Sequence, residues 1–173
     1  MDYPSSHFAL LSALLAIAAA SDVALRRIPN VVVVAVAAAG IASQAVVHGM
    51  GNAASGLAAA GITAGVLWPA WKRRMVGGGD LKLAAASAGW IALAGVPVYF
   101  VASALAAGML AVVAYSASTL GARSAMRRNL VALALGSGSA DLPLQPVPGR
   151  AVVPAGAAFA LGALFTILFG GTP

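Results

Sequence analysis

The chain has 173 residues, of which 61% are hydrophobic and 8% are charged, with a net charge of +6 and no cysteine. Soluble globular domains carry about 25% charged residues, so the composition excludes an ordinary water-soluble domain and indicates an integral membrane protein. The missing cysteine excludes disulfides, a zinc ribbon and thiol catalysis, and basic residues confined to short clusters between apolar runs disfavour a nucleic-acid-binding surface.

Apolar segments of membrane-spanning length follow one another along the chain. A helix crosses the hydrocarbon core of a bilayer, which is ~30 Å thick, with about 20 residues. Four segments fit this length directly, over residues 7–25, 30–48, 53–71 and 151–169. The remaining apolar stretch, 81–118, would be ~57 Å long as one helix. We predict that Gly-Val-Pro at 95–97 divides it into spans over 80–94 and 98–118, because proline removes a backbone donor and clashes with the preceding turn.

Lysine and arginine residues orient these spans. They lie at the connections between spans one and two, three and four, and five and six: Arg26, Arg27, Lys72, Arg73, Arg74, Lys82, Arg123, Arg127, Arg128 and Arg150. Basic residues concentrate on the cytoplasmic side of a membrane. The predicted fold class is therefore an all-α integral membrane protein, a single domain over 1–173 with six transmembrane helices and both termini outside the cytoplasm.

The cytoplasmic loop 119–150 is the long hydrophilic connection of this arrangement. Its first part, SAMRRNLVALAL, mixes basic and apolar residues in the manner of an amphipathic helix at a membrane surface. Its second part, GSGSADLPLQPVPG, has the Gly, Ser and Pro content of a flexible linker.

Acidic residues are rare enough to be considered one by one. They are Asp2, Asp22, Asp80 and Asp141. The first and last have an ordinary solvated explanation, whereas Asp22 and Asp80 are both predicted at cytoplasmic ends of spans. Acids in membrane helices are costly and are functional candidates by default. Structural roles remain open, since Asp22 could pair with Arg26 one turn later, and Asp80 could cap a helix or pair with Lys82.

A pair of carboxylates at one membrane face suits peptide hydrolysis. Two carboxylates held close together do not both ionise readily, so one keeps a proton. The ionised group can take a proton from an attacking water while the protonated group polarises the peptide carbonyl. The glycines at 77–79, directly before Asp80, would let a substrate backbone approach and would tolerate unusual φ/ψ angles. Gly79 is therefore expected to matter for turnover, whereas Gly40 and Gly61 should matter for helix packing.

The motif GGGDLKL has the GxGD form of intramembrane aspartic proteases, and in the earlier segment SDVALRRIPN an aspartate is followed closely by a basic, Ile-Pro-Asn turn. Together with the late segment VPGRAVVPAGAAFALGAL, these motifs resemble the type IV prepilin peptidase family. The resemblance implies that Asp22 and Asp80 are the catalytic pair. It also implies that the motif and substrate-binding residues are Gly77, Gly78, Gly79, Arg26, Arg27, Pro29, Asn30 and Lys82. We expect Lys82 to act in membrane anchoring or an ion pair rather than in catalysis.

The same resemblance implies the reaction and its setting. The family removes a short basic leader from type IV or Flp-type prepilins and pseudopilins, at the cytoplasmic face of the bacterial inner membrane. Larger members also methylate the new N-terminus, with a cysteine-bearing cytoplasmic segment that has no counterpart here, since only Met1 to Ser6 precede the first span. We therefore expect a multi-pass, peptidase-only enzyme similar to those of Flp/Tad pilus systems, with no cofactor or metal and with the prepilin and the lipid bilayer as partners.

Two other functions are compatible with membrane acids. A small proton-coupled transporter would use Asp22 and Asp80 as proton carriers, although such sites lie near the membrane midplane rather than at one face. A structural membrane subunit of a secretion or pilus apparatus would use the acids only in ion pairs. Co-expression with a pilin-like precursor separates these functions, since only the protease shortens the precursor.

Overall fold

The computed structural model describes residues 5–25, 27–134 and 155–169. All regular secondary structure in these ranges is helical, which confirms the all-α prediction. The helices are α1 (Ser5–Leu25), α2 (Asn30–Ser43), α3 (Met50–Lys72), α4 (Gly78–Ser116), α5 (Leu120–Ala134) and α6 (Ala155–Phe169), and α2 continues into a π-helical turn, Gln44–His48. The linker predicted in the second half of the 119–150 loop lies outside the described residues, as do Asp2, Arg26, Asp141 and Arg150.

The composition of the helices suits a lipid environment. Four of them are long and apolar enough to cross a membrane, namely α1, α2 with its π-helical turn, α3 and α4, while α6 is a shorter apolar helix. Many large apolar side chains are exposed, among them Val31, Val46, Leu57, Leu105 and Met109. Such surface would be unfavourable in water but is the expected covering of a helix in lipid. The chain is therefore a helical membrane protein.

Small residues bring the helices of the first compact unit together. This unit contains the described residues up to Ala107 together with α6, and α1 packs against both α2 and α6. A Cβ atom on Gly56 of α3 would lie 2.6 Å from the Gly89 carbonyl oxygen of α4. A Cβ atom on Gly162 of α6 would lie 2.7 Å from the Ser103 nitrogen of α4. Both pairs of backbones approach as closely as glycine permits.

Helix α4 is broken at Ala92, which has φ 59° and ψ 178°. The prediction of a break at 95–97 was therefore right in kind but wrong in position. The Tyr99 hydroxyl donates to the Ala84 carbonyl oxygen at 3.3 Å, although residues so far apart would be separated by ~22 Å along one straight helix. The segments before and after Ala92 thus lie side by side. Pro97 lies within the second segment, where its missing N–H removes at most one intrahelical bond.

Side chains from α3 and from the π-helical turn satisfy the backbone groups that this break releases. Gln44 Nε2 donates to the Trp90 carbonyl oxygen at 2.5 Å, and the Leu93 N–H donates to Ser55 Oγ at 3.0 Å. Unsatisfied backbone groups are very costly in a membrane interior. The position of the break is therefore set by contacts from two neighbouring elements, which explains why proline alone does not locate it.

The second compact unit begins at Gly108 and includes the end of α4 and all of α5. The Arg123 side chain bonds the last carbonyls of α4, with Nε 3.1 Å from Tyr115 O and Nη2 2.6 Å from Ser116 O. A guanidinium at a helix C-terminus also interacts favourably with the helix dipole. The helix predicted in the first part of the 119–150 loop is confirmed as α5, where Arg127 and Arg128 are exposed.

Candidate active site

The turn after α1 sets the direction of the chain beyond Asp22. Asp22 lies in the last turn of α1, which ends at Leu25. Pro29 then precedes α2 in an extended conformation, with φ −60° and ψ 133°, and its carbonyl oxygen accepts the N–H groups of Val32 and Val33. Proline suits this position because it has no N–H to continue the preceding helix and its ring clashes with the carbonyl four residues earlier. Asp22 is thereby held at the end of α1 that adjoins the start of α2.

Asp80 lies in the first turn of α4, and its side chain caps the start of that helix. The Gly77 carbonyl oxygen accepts the Leu81 N–H at 3.1 Å, which makes Gly77 the N-cap residue. The Asp80 Oδ2 atom in turn accepts the Gly77 N–H at 3.2 Å. This is the carboxylate half of a capping box, and a negative charge also suits the positive end of the helix. Asp80 is thus the third helical residue, not the N-cap residue.

Lys82 links the starts of α4 and α2. Its Nζ atom donates to Asn30 Oδ1 at 3.2 Å, and both side chains are exposed. The partner of Lys82 is thus a neutral amide rather than Asp80. The contact joins the segment that follows Asp80 to the segment that follows Asp22, and it gives Lys82 and Asn30 a structural role. Arg27 is exposed on the same connection.

Asp22 and Asp80 come together at Gly156, in the first turn of α6. A Cβ atom placed on Gly156 would lie 2.8 Å from Asp22 Oδ2 and 3.0 Å from Asp80 Oδ1. Because both oxygens lie within 3.0 Å of this one Cβ position, they are at most about 6 Å apart. Carboxylates influence each other over this range. Asp22 Oδ2 is buried and accepts no hydrogen bond from the described residues. The sequence-predicted pair is therefore adjacent in space.

Ile28, in the turn after α1, also lies against the Cβ position of Gly156. Its Cδ1 atom would lie 2.8 Å from a Cβ atom on Gly156, and its Cβ atom would lie 3.5 Å from one on Gly79. Ile28 thus adjoins the first turns of both α4 and α6, beside the two carboxylates. Sequence reasoning gave no role to Ile28 or Gly156, although Gly156 lies in the quoted late segment. A small residue at the start of the last apolar run was the available signal.

The glycines before Asp80 contact other residues of the chain, and approach of a substrate backbone to them stays a prediction. None of Gly77, Gly78 and Gly79 has a positive φ, and the last two are helical, so the expected need for unusual dihedral angles was wrong. A Cβ atom on Gly77 would lie 2.8 Å from Asp80 Oδ2, and one on Gly78 would lie 3.3 Å from Trp71 Nε1. One on Gly79 would make only ordinary contact with Ile28. The close approach that Gly77 permits is to the chain's own carboxylate.

The two glycines chosen for comparison with Gly79 also differ from each other. A Cβ atom on Gly40 would overlap the Trp90 ring, whereas one on Gly61 would meet nothing within 4 Å. Gly40 is therefore a packing residue, as predicted. Gly61 faces open space, so the expectation that it supports helix packing was wrong.

The arrangement defines a class of protein, a helical membrane protein with two facing carboxylates at helix ends. Such a pair can divide the work of acid and base in the hydrolysis of a peptide bond. The sequence profile of the type IV leader peptidase family matches residues 9–112, which is more than half of the chain and includes both aspartates. The chain belongs to this family, which confirms the resemblance seen in the sequence, and membership implies peptidase activity. No curated protein and no solved structure matches the chain. Helix α6, with Gly156, lies outside the matched residues.

Proposed function

We propose that the protein is an aspartic endopeptidase that removes the leader of type IV or Flp-type prepilins or pseudopilins at the cytoplasmic face of the bacterial inner membrane. Asp22 and Asp80 are its catalytic residues. The observation that carries this proposal is the approach of both carboxylates to Gly156. The family supplies the class of reaction, and the pairing supplies a means of carrying it out.

The two carboxylates perform complementary steps. One, ionised, takes a proton from a water molecule as the water attacks the scissile carbonyl carbon. The other, protonated, donates a hydrogen bond to the carbonyl oxygen as negative charge develops there. A proton then passes to the leaving amine as the peptide bond breaks. An amide side chain at either position could act neither as the base nor as the acid.

The proposed topology places this chemistry at the cytoplasmic face. Six crossings are made by α1, α2 with its π-helical turn, α3, the two segments of α4, and α6. The basic residues at the α1–α2 turn and after α3 then lie in the cytoplasm, following the distribution of lysine and arginine in membrane proteins. Asp22 lies at the end of α1 and Asp80 at the start of α4. A substrate whose basic leader precedes a hydrophobic helix would present its cleavage site at this depth.

The location of the acids also bears on the transporter alternative. Coupling sites of secondary transporters lie near the bilayer midplane, at breaks in helices. In this chain the helix break at Ala92 is separate from the aspartates, which lie in terminal turns of α1 and α4. We further propose that the enzyme is a peptidase without methyltransferase activity, since the chain has no cysteine.

Co-expression with tagged precursors tests the proposal. The protein is produced together with each of a panel of type IV and Flp-type prepilins, and the precursors are analysed by gel mobility and intact mass. We expect at least one precursor to lose its leader at a single bond, with no added methyl group. Cleavage in water enriched in ¹⁸O should place one heavy oxygen in the new carboxyl group of the leader. If the inserted protein leaves every precursor at full length, as an empty vector does, the proposal is wrong.

A further inference from the structure

The first turn of α6 contacts the two carboxylates through the backbone of Gly156. This glycine is the second residue of the helix and is buried. Asp80 Oδ1 would lie 3.0 Å from a Cβ atom on this glycine, so the Asp80 carboxylate adjoins the Gly156 backbone. The first N–H groups of a helix have no intrahelical partner, and the helix dipole favours negative charge at this end. The start of α6 is therefore suited to hold the Asp80 side chain in one orientation.

The missing side chain of Gly156 has a second effect. An added Cβ atom would lie within 3.0 Å of three side-chain atoms, namely Asp22 Oδ2, Asp80 Oδ1 and Ile28 Cδ1. Ordinary van der Waals contact begins at 3.4 Å, so alanine would displace each neighbour or the helix itself by about half an ångström. Errors of this order in a reacting geometry are costly, since a ~1 Å misplacement lowers rates by about 100-fold.

We propose that Gly156 is a positioning residue for the two carboxylates. Its backbone N–H orients Asp80, and its lack of a side chain lets Asp22 approach Asp80 closely enough to share one water molecule. The inference rests on the proposed function in that the consequence for cleavage requires the pair to be catalytic. It assigns to α6, which lies beyond the matched residues 9–112, a part in the active site.

The alternative explanation is that Gly156 merely allows helices to pack. Gly162 in the same helix provides the comparison, since a Cβ atom there would meet the Ser103 backbone, with Ser103 N at 2.7 Å and Cα at 2.8 Å. Gly162 is thus crowded by backbone, without contact to either carboxylate. Gly61 has nothing within 4 Å of its added Cβ atom and controls for the glycine-to-alanine change alone.

The experiment compares Gly156→Ala, Gly162→Ala and Gly61→Ala in the full-length protein, with cleavage rates expressed per folded molecule. We expect Gly156→Ala to lower kcat at least tenfold with little change in KM, because the reacting groups rather than the substrate are displaced. Gly162→Ala should lower the yield of folded protein and not the rate per folded molecule. Gly61→Ala should match the wild type in both. A Gly156→Ala rate within twofold of that of Gly61→Ala would overturn the inference.

A second variant distinguishes displacement of the carboxylates from crowding at Ile28 as the cause of the Gly156→Ala defect. Ile28→Val removes the Cδ1 atom that a Cβ on Gly156 would meet. The double variant Ile28→Val/Gly156→Ala should therefore recover any lost folding, but its rate should remain at least tenfold below that of Ile28→Val alone. Recovery of the rate would show that crowding at Ile28, and not displacement of the carboxylates, causes the defect.

A measurement that does not depend on cleavage completes the test. Dicyclohexylcarbodiimide modifies protonated carboxyl groups in apolar surroundings, and mass spectrometry counts the adducts on Asp22 and Asp80 across a pH series. Because Gly156→Ala displaces the Asp80 carboxylate, it should move the pH of half-maximal labelling of Asp80 by at least about 0.5 unit, whereas Gly162→Ala and Gly61→Ala should not. An unmoved labelling curve contradicts the inference. A moved curve in a protein that cleaves no precursor supports it and contradicts the proposed function.

Discussion

The glycine before α4 offers a graded test of how the Asp80 carboxylate is held. In Gly77→Ala the new Cβ atom would lie 2.8 Å from Asp80 Oδ2. Relief to the 3.4 Å of ordinary contact requires a movement of about half an ångström, which also stretches the 3.2 Å hydrogen bond from the Gly77 N–H. Loss of a hydrogen bond to a charged group costs about 1.5–3 kcal/mol. The bond is exposed, so the lower figure applies.

This figure sets the largest expected loss of rate. A lost interaction slows the reaction only as far as it is stronger in the transition state, and each ~1.4 kcal/mol lost there lowers a rate about tenfold. Gly77→Ala should therefore cleave up to about tenfold more slowly than the wild type. Gly79→Ala should be close to the wild type in rate, because its Cβ atom makes ordinary contact with Ile28 at 3.5 Å. It should also be slightly more stable, since alanine is favoured over glycine within a helix by about 0.5–1 kcal/mol.

The assay follows cleavage of a tagged precursor by purified enzyme in detergent, with the folded fraction taken from size-exclusion chromatography. Gly78→Ala should fall between the other two variants, because its Cβ atom would lie 3.3 Å from Nε1 of the exposed Trp71 side chain, which has room to move. Equal rates for Gly77→Ala and Gly79→Ala would refute the reasoning. A larger defect at Gly79 would support the earlier expectation that the substrate backbone passes over this residue.

Three further predictions concern contacts away from the carboxylates. Lys82→Met should lower the rate less than about threefold, as expected for an exposed contact. When Lys82→Met is made in the Asn30→Ala variant, it should cause no further loss of rate. A tenfold loss in Lys82→Met alone would give Lys82 a catalytic role. Gln44→Leu should reduce the free energy of unfolding in detergent by about 1–3 kcal/mol because it removes the hydrogen bond that Gln44 donates to the buried Trp90 carbonyl, and unchanged stability would mean that the break needs no such bond. In single-cysteine variants, an impermeant maleimide should label Leu93→Cys from outside the cell and Met75→Cys only after permeabilisation; the reverse pattern would contradict six crossings.

The helices were predictable from sequence because the length of each apolar run matches the length of a helix. Predicted spans and observed helices begin and end within a few residues of each other where both are described, as with 7–25 and Ser5–Leu25. The position of the break in α4 was not predictable. Its released backbone groups are bonded by Gln44 and Ser55, which are far away in the sequence, so no local pattern around Ala92 records them.

In the candidate site too, some features were predictable from the sequence and others were not. The distribution of lysine and arginine, together with the GGGD and SDVALRRIPN motifs, was sufficient to predict that Asp22 and Asp80 lie near each other. It could not supply the third element of the site, since the contact with Gly156 depends on how α6 packs against α1. Nor does a glycine in a sequence tell whether it makes room for a substrate or for a neighbouring side chain. The contacts of Gly77 show that its Cβ position adjoins the Asp80 carboxylate.

The central claim is that Asp22 and Asp80 are the two catalytic groups, and the direct measurement is leader cleavage by Asp22→Asn and Asp80→Asn. Each change keeps the shape of the side chain and removes its acid–base chemistry. Asp141→Asn, at the acid that the sequence places in the linker, is the matched control. The account predicts that both site variants insert normally and cleave at less than about 1% of the wild-type rate, while Asp141→Asn cleaves normally. Near wild-type cleavage by either Asp22→Asn or Asp80→Asn would contradict it.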